Sequence, residues 1–241
     1  MIAAKESRRL VLEGVVIVAS ILAAFALDTW WDSVKARSEE EQVLRSLDTE
    51  FRATRSDLLA QLDMHRRILG SVESVRASVV DGLRGGAPMV SVPDTALGWL
   101  YIPPTTQLML GTLNGLVGSA GLGIVRDPEL RSALAAWGNN LGELSEEEWS
   151  ARELVLSDLD RVFRERMDVS PFRTIGLDVL AGTLTPEELG TRSTIPVDTE
   201  LVGVVSTRFM IQAHLVDEFE PVLAEIERIL DLIARSLEDR A

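Results

Sequence analysis

Residues 10–27 read LVLEGVVIVASILAAFAL, an apolar run whose one charged residue is Glu13. As an α-helix, these eighteen residues would extend for roughly 27 Å, close to the thickness of the hydrocarbon core of a bilayer. Trp30 and Trp31 follow at the level of the lipid headgroups, where membrane proteins are enriched in tryptophan. The run therefore predicts a transmembrane helix over residues 10–31, with Glu13, Trp30 and Trp31 as its anchoring residues.

The charges on either side of this run predict its orientation. Three basic residues precede it and two acidic residues follow it: Lys5, Arg8, Arg9, Asp28 and Asp32. Positive charge marks the cytoplasmic side of a membrane span. We therefore expect a protein of the bacterial inner (cytoplasmic) membrane with a cytoplasmic tail over residues 1–9 and a periplasmic domain over residues 32–241.

Two features of the run leave alternatives open. Ala24, Phe25 and Ala26 fit the A-x-A pattern of a cleavage site, so residues 1–26 are alternatively a removed signal peptide. Glu13 lies about one turn inside the run, where a carboxylate is costly. Three roles are open for Glu13: it lies at the headgroup interface, it contacts another membrane helix, or it takes part in a proton relay. No histidine lies in the run, so it offers no axial ligand for haem or chlorophyll.

The same stretch resembles the opening of an uncharacterised bacterial family, a domain of unknown function. Residues 13–32 read EGVVIVASILAAFALDTWWD, similar to that family's Glu, Val/Ile-rich span, Ile-Leu pair and Asn/Asp-x-Trp motif. Ser20 stands where the family usually has glycine, and Asp28 where it usually has asparagine. Residues 118–131, GSAGLGIVRDPELR, resemble a second family segment, with extra glycines. The resemblance implies a single-span membrane protein with a helical extramembrane domain, and it implies no activity.

After residue 32, apolar residues recur every three or four positions, the period of an amphipathic helix. One stripe runs over residues 34–83 and ends at consecutive glycines, and a second runs from Leu201 to Leu237. Pro221 interrupts the second stripe, and we expect a kink there. No helix-breaking residue separates the first stripe from the membrane run. We therefore expect one continuous rod, against which the second long helix packs.

Shorter helices are expected between the two long ones. Asp127 before Pro128 predicts a helix start, Ser145 a capping box opening a helix to about Met167, and Thr185 a third start. The apolar triplets 90–92 and 195–197 are too short and too close to proline to predict strands. The expected fold is therefore all-α: an N-terminal transmembrane helix continuing into a long helix, with an antiparallel helical bundle outside the membrane.

Residues 85–125 form an uncharged segment in which Asp94 is the one charged residue. Three interpretations are open: a buried hairpin that caps the bundle, a docking surface for a partner, or a second transmembrane helix over residues 108–125. The segment combines aromatic residues with glycines that permit close packing. The residues assigned to a candidate partner interface are Trp99, Tyr101, Leu108, Gly111, Gly115 and Gly121.

The sequence carries no motif for catalysis or cofactor binding, and we expect neither an enzyme nor a cofactor. The chain has no cysteine, and its glycines form no phosphate loop or dinucleotide fingerprint. Of the two histidines, His65 falls on the first apolar stripe and predicts a hydrogen-bonded core or interface residue, whereas His214 predicts a surface or capping role. The acidic triplets 39–41 and 146–148 are expected to be solvated, and no metal site is predicted.

The charge distribution narrows the class of partner. The net charge is −14, divided into +1 for residues 1–27 and −15 for residues 28–241. The strong negative charge of residues 28–241 excludes nucleic acid as a partner, because binding phosphates requires clustered positive charge. We therefore expect a non-catalytic accessory subunit that contacts the lipid bilayer and braces other membrane-protein subunits. Two alternatives are a ligand-binding or sensor ectodomain that signals through a separate partner, and a homo-oligomer.

Overall fold

The computed structural model describes residues 2–103 and 111–238, apart from the side chains of residues 2–17, 119, 120 and 140. Most of the described residues are helical, which confirms the all-α expectation in outline. In chain order the elements are α1 (Ile2–Arg84), β1 (Met89–Pro93), α2 (Asp94–Leu100), α3 (Gly111–Gly115), α4 (Pro128–Leu154), α5 (Asp160–Arg164), α6 (Ser170–Ala181), α7 (Pro186–Gly190), β2 (Arg192–Pro196) and α8 (Thr199–Glu238). A π-helical turn, Val155–Leu159, joins α4 to α5.

The two long helices α1 and α8 pack against each other in opposite directions. Arg55 of α1 forms an ion pair with Glu227, while His65, further along α1, meets Gln212. Residue numbers therefore rise along one helix as they fall along the other. α4 lies antiparallel on α8 in the same way, since Glu129 pairs with Arg228 and Glu147 lies 3.6 Å from His214. The result is the antiparallel bundle predicted from the apolar stripes.

Two hydrophobic clusters fill the bundle, one above the other along α1. The first core joins α1, α4 and the C-terminal half of α8, and its largest side chains include Leu44, Phe51, Trp137, Phe219 and Ile226. The second core joins α1, α2, α5, α6 and the start of α8, and includes Val72, Leu97, Phe163, Phe172 and Val205. Burial of these apolar side chains is the dominant stabilising contribution to the fold.

The N-terminal part of α1 leaves the bundle. Over residues 18–39 every side chain is exposed or half-buried, and the first buried residue is Glu40. Within the described part of the chain, no helix has an apolar stretch of the length and hydropathy needed to cross a membrane. Residues 10–17 of the expected span, with Glu13, are among those whose side chains lie outside the description.

The expectation that residues 90–92 and 195–197 form no strands is wrong. β1 and β2 pair antiparallel, with Val90 opposite Ile195 and Val92 opposite Ser193. The two strands leave the ends of α1 and α7, and Ile195 and Val92 are fully buried against the second core. Tertiary burial of alternate side chains therefore stabilises a ladder that local sequence does not predict.

Helix boundaries follow the local signals in part. The Asp127 carboxylate accepts hydrogen bonds from the backbone N–H groups of Glu129 and Leu130, and Thr185 forms the predicted capping box with Glu188. Ser145, by contrast, starts no helix: it lies inside α4, and its hydroxyl donates to the Leu141 carbonyl. The apolar stripe of α4 continues through this position, so packing on α8 overrides the capping signal.

The sequence also predicts the end of α1 and an interruption of α8 at Pro221. α1 ends at Arg84, followed by Gly86 at φ +67°, a left-handed conformation that favours glycine after a helix. α8 is one helix from Thr199 to Glu238 with Pro221 inside it, so the proline does not end the helix.

Candidate functional site

Four polar side chains are buried together where the first core meets the second. We call His65, Glu148, Arg208 and Gln212 the polar cluster; each is at most 7% exposed. His65 Nε2 lies 3.7 Å from Glu148 Oε1, and His65 Nδ1 lies 3.1 Å from Gln212 Nε2. Arg208 Nη1 donates to Gln212 Oε1 at 2.7 Å, and its Nη2 donates to the Ile102 carbonyl at 3.2 Å. The cluster thus links α4, α1 and α8 to the residues that follow α2.

Arg208 determines the direction of these hydrogen bonds. A guanidinium group only donates, so the Gln212 atom that faces it is the carbonyl oxygen, and the amide NH₂ faces His65. That NH₂ donates to Nδ1 and lies 3.3 Å from the His65 carbonyl oxygen. A neutral His65 imidazole therefore carries its proton on Nε2, the atom that faces Glu148.

The Arg208 charge is buried without a compensating carboxylate among its hydrogen-bond partners. Burial lowers the pKa of Arg208 from 12.5 to about 10, so the side chain remains a cation at neutral pH. Its two acceptors in the described chain, Gln212 Oε1 and the Ile102 carbonyl, are neutral, and its Nε has no hydrogen-bond partner there. Burying the Arg208 cation therefore reduces the stability of the fold, and losing either of its two acceptors would reduce that stability further.

A groove of about 350 Å³ opens beside the polar cluster, between the π-helical turn and α6. Its back wall is formed by the residues after α2, including Ile102, whose carbonyl Arg208 holds. The residues that give the groove its character are Tyr101, Leu156, Asp160, Arg173, Leu177 and Leu180. Three leucines and a tyrosine make the lining of the groove largely apolar. Its charged residues are Asp160 and Arg173, which form an ion pair with each other. It is a concave site of the size that small molecules occupy.

A larger cleft of about 900 Å³ lies where α1 leaves the bundle, beside the C-terminal end of α8. Its charged side chains are largely committed within the chain. Glu41 pairs with Arg45, and Arg126 pairs with the buried Glu40. Asp127 is the cap of α4. Arg37, Ser38 and Ser236 also line this cleft, which makes it more polar than the groove.

The uncharged segment divides into two parts with different environments. Its first part, through β1 and α2, contributes Val92, Leu97 and Leu100 to the second core, as expected of a buried hairpin. Its second part, residues 111–124, packs on the first core through Leu113 and Leu116 and exposes Val117 and several glycines, and we call it the flank. The flank is attached at both ends by α1 carboxylates. Glu50 accepts hydrogen bonds from the backbone N–H of Thr112 at 2.7 Å and of Leu113 at 3.1 Å, and Glu40 accepts from the Arg126 N–H at 2.7 Å.

The interpretation of residues 108–125 as a second transmembrane helix is wrong for the described residues 111–125. α3 ends at Gly115, a π-helical turn follows, and Gly121 at φ +69° ends it. Glu50 of α1 accepts hydrogen bonds from two backbone N–H groups of this segment, and the described residues form short separate turns instead of one uninterrupted helix.

The residues assigned to a partner interface lie in different places. Tyr101 is 8% exposed and packs edge-on against Phe163 of α5, so it belongs to the second core and is not part of an outer docking surface. Trp99 is half-buried against the same core. Gly111, Gly115 and Gly121 are exposed on the flank. Leu108 lies outside the described residues.

Removing the Glu50 carboxylate tests how the flank is held. We expect Glu50→Ala to raise the amide hydrogen-exchange rates of Thr112 and Leu113 about tenfold, since each loses a charge-assisted hydrogen bond. Exchange would be measured by NMR or mass spectrometry on the full-length chain. Glu39→Ala, which removes an exposed carboxylate of the same helix, should leave both rates unchanged. Equal rates in Glu50→Ala and the wild type would contradict this attachment.

The two histidines lie where the sequence predicts them. His65 is fully buried and hydrogen-bonded, and its ring packs on Phe219. The His214 side chain is 56% exposed and lies 3.6 Å from carboxylates of both Glu147 and Glu218.

The expectation for the acidic triplets is wrong at two residues. Glu40 and Glu148 are 1% and 7% exposed, because each falls on the apolar stripe of its helix and points into the bundle. Sequence reasoning also missed Arg208 and Gln212. Their signal was present, since both occupy positions of the α8 stripe between Val204 and Leu215 where apolar residues are expected.

Within residues 2–103 and 111–238, no three His, Asp or Glu side chains come close enough together to hold a metal ion. No family model, curated protein or solved structure matches this chain.

Proposed function

We propose that this chain is a non-catalytic accessory subunit of a bacterial inner-membrane protein complex. In this proposal the N-terminal part of α1 is a single-pass anchor whose N-terminus faces the cytoplasm. The helical bundle lies in the periplasm and braces larger subunits. Photosynthetic, respiratory and transport assemblies are complexes of this kind.

The observation that carries the proposal is the uncovered apolar surface of α1. At least half of each of seven side chains is exposed in a stretch that no other described element covers: Val18, Ile21, Leu22, Phe25, Leu27, Trp30 and Trp31. At 100° per residue these positions are distributed around the whole helix and not along one face. A single packed partner would cover only one side. Lipid acyl chains cover every side, so a bilayer is the environment that best fits this surface.

A bracing role is supported by the continuity of α1. The helix runs from Ile2 to Arg84 without interruption, so the uncovered stretch and the bundle are parts of one rod. A flexible linker would let a domain move freely over the membrane, whereas a continuous helix holds it at a defined distance and orientation. The resemblance of residues 13–32 to the opening of a single-span family supports the same anchor.

The flank is the surface we assign to the partner. Residues 111–124 carry no charge in a chain of net charge −14, and Val117 on the flank is 61% exposed. An uncharged surface can be covered by another protein without the cost of desolvating ions. A non-catalytic role is consistent with the polar cluster, whose His65 and Glu148 are enclosed by the bundle and out of reach of a substrate.

Purification from native membranes tests this proposal. The tagged full-length chain, extracted in mild detergent, is expected to bring one or more membrane subunits in fixed stoichiometry. Val117→Glu places a charge on the flank and should reduce partner recovery about tenfold or more, because the carboxylate must be desolvated on docking. Leu189→Glu is the matched control: Leu189 is 60% exposed on α7, and its substitution should leave recovery unchanged.

The possible results separate the hypotheses. A chain that purifies alone as a monomer contradicts the accessory-subunit proposal. A native mass that is a simple multiple of the chain supports the homo-oligomer instead. Loss of the partner in both glutamate variants would exclude the flank as the specific contact.

The groove favours a second candidate function, a ligand-binding ectodomain that signals through a separate partner. A concave apolar site with a few convergent polar groups is typical of small-molecule binding.

A further inference from the structure

We propose that the groove binds an amphiphilic carboxylate, with the aliphatic chain lying on Leu156, Leu177 and Leu180 and the carboxylate meeting Tyr101 and Arg173. This inference rests on the second candidate function and is independent of the membrane anchor and of any partner subunit.

The apolar wall is formed by leucines that the fold leaves uncovered. Leu156, Leu177 and Leu180 are 56%, 69% and 48% exposed, and all three line the groove. Leu156 belongs to the π-helical turn, and turns of this kind are frequent at functional sites. Three exposed leucines in contact with water are unfavourable, and an aliphatic chain lying on them would remove that apolar area from water.

The backbone of α6 packs closely on that of α2, and two leucines of α6 line the groove beside this contact. A Cβ atom built on Gly176 would lie 3.0 Å from the Gly98 carbonyl oxygen, and one built on Gly98 would lie 2.9 Å from Ile175. The two glycines therefore allow α6 to pack directly on α2. Leu177, the residue after Gly176, and Leu180, one turn later, then line the open side.

Tyr101 supplies a polar group that the protein itself leaves unused. The residue is 8% exposed and lines the groove, and its hydroxyl is buried and has no hydrogen-bond partner in the described chain. Burial, together with the negative charge of Asp160, raises the pKa of Tyr101 well above its usual value, so the hydroxyl keeps its proton and can donate. A ligand acceptor would satisfy this group, which otherwise remains a cost to the fold.

The charges at the edge of the groove select an anion. Asp160, which is 8% exposed, pairs with Arg173 across the groove and with Arg164 on its own helix. Two cations, Arg173 and Arg164, thus share the one carboxylate of Asp160 at this edge. Arg173 is half exposed and can pair with a second carboxylate. The chemistry matches a monocarboxylate with an aliphatic chain better than an alcohol or an amine.

The test uses decanoate, with decanol and decylammonium as uncharged and cationic probes of the same chain length. Calorimetric titration is performed on the full-length chain in lipid nanodiscs, with empty nanodiscs titrated in parallel to subtract partitioning into lipid. We expect saturable decanoate binding with a stoichiometry of one, and decanol and decylammonium to bind at least tenfold more weakly.

Three variants localise the binding to the groove. Tyr101→Phe should weaken decanoate binding about tenfold without lowering the midpoint of thermal unfolding, because it removes a hydroxyl that has no partner in the fold. Arg173→Gln should weaken binding by a similar factor. Leu177→Glu should abolish saturable binding, whereas Leu189→Glu, an equally exposed leucine outside the groove, should bind decanoate like the wild type.

Each result supports or overturns the inference. Decanol binding as tight as decanoate would exclude the carboxylate assignment. Absence of saturable binding above empty nanodiscs, or binding unchanged by Tyr101→Phe and Leu177→Glu, would exclude the groove as the site. Saturable, groove-dependent binding by a chain that stays in solution and does not enter nanodiscs would keep this inference and refute the membrane anchor.

Discussion

Gln212→Leu is expected to lower the free energy of unfolding by about 3 kcal/mol, a large effect for one uncharged side chain. Gln212 Oε1 is the one side-chain acceptor of the Arg208 cation in the described chain, and its amide NH₂ is the donor to His65 Nδ1. Leucine has a similar volume and fills the same space. The loss therefore comes from the uncompensated buried cation and not from a cavity.

A second substitution separates these causes. Arg208→Met in the Gln212→Leu background should recover at least half of the lost stability, because the buried charge is gone and an apolar side chain occupies the same volume. The cost that remains is that of the Ile102 carbonyl and His65 Nδ1, both left without donors.

The measurement is urea unfolding of the full-length chain, followed by circular dichroism under one detergent condition for all variants. Gln42→Leu makes the same chemical change at an exposed position of α1 and should shift stability by less than about 0.5 kcal/mol. If the double variant is no more stable than Gln212→Leu, the Arg208 charge is not the source of the effect.

The polar cluster shows what an apolar stripe in the sequence can predict and what it cannot. The stripe that predicted α8 uses the positions of Leu201, Val204, Leu215 and Phe219, and Arg208 and Gln212 occupy the same face between them. Counting only apolar residues finds the stripe but overlooks its polar members. A polar residue in phase with an apolar stripe predicts burial and hence a required hydrogen-bond partner, although it does not identify that partner.

Glu40 and Glu148 follow the same rule. Glu40 precedes Leu44 by one turn, and Glu148 follows Leu144 by one turn, so both are in phase with buried positions of their helices. Runs of three acids hide this phase, because neighbouring residues of the same type point in different directions. Within each triplet the described side chains differ in burial even though they have the same charge.

Other features depend on contacts between distant parts of the chain, and local patterns do not contain them. β1 and β2 are separated by about a hundred residues, and their pairing reflects the ends of α1 and α7 meeting over the second core. The groove forms only when α6 packs on α2 through two glycines. Long-range assembly of this kind decides both the sheet and the candidate ligand site.

Two arginines in the uncovered part of α1 should release the chain from the membrane. Val18 and Leu22 are 57% and 63% exposed and fall near the middle and in the second half of the apolar run. An arginine near the centre of a membrane helix costs about 3 kcal/mol, so Val18→Arg with Leu22→Arg is expected to lower membrane partitioning by more than about a thousandfold. The wild-type chain should resist extraction of membranes with alkaline carbonate, and this variant should appear in the soluble fraction.

Leu59→Arg with Leu83→Arg is the matched control, since both leucines are exposed on the same helix within the bundle. This control should remain in the membrane fraction, because the two positions lie outside the proposed anchor. A wild-type chain that carbonate extracts completely would contradict the anchor, as would retention of the Val18→Arg, Leu22→Arg variant.

The same anchor predicts where the bundle lies. Because the chain has no cysteine, Ser150→Cys introduces a single exposed thiol on α4. A membrane-impermeant maleimide should label it in intact spheroplasts, since Lys5, Arg8 and Arg9 hold the N-terminus in the cytoplasm and one crossing places residue 150 outside. Labelling only after lysis would place the bundle in the cytoplasm, and the uncovered apolar residues of α1 would then require a different orientation in the bilayer.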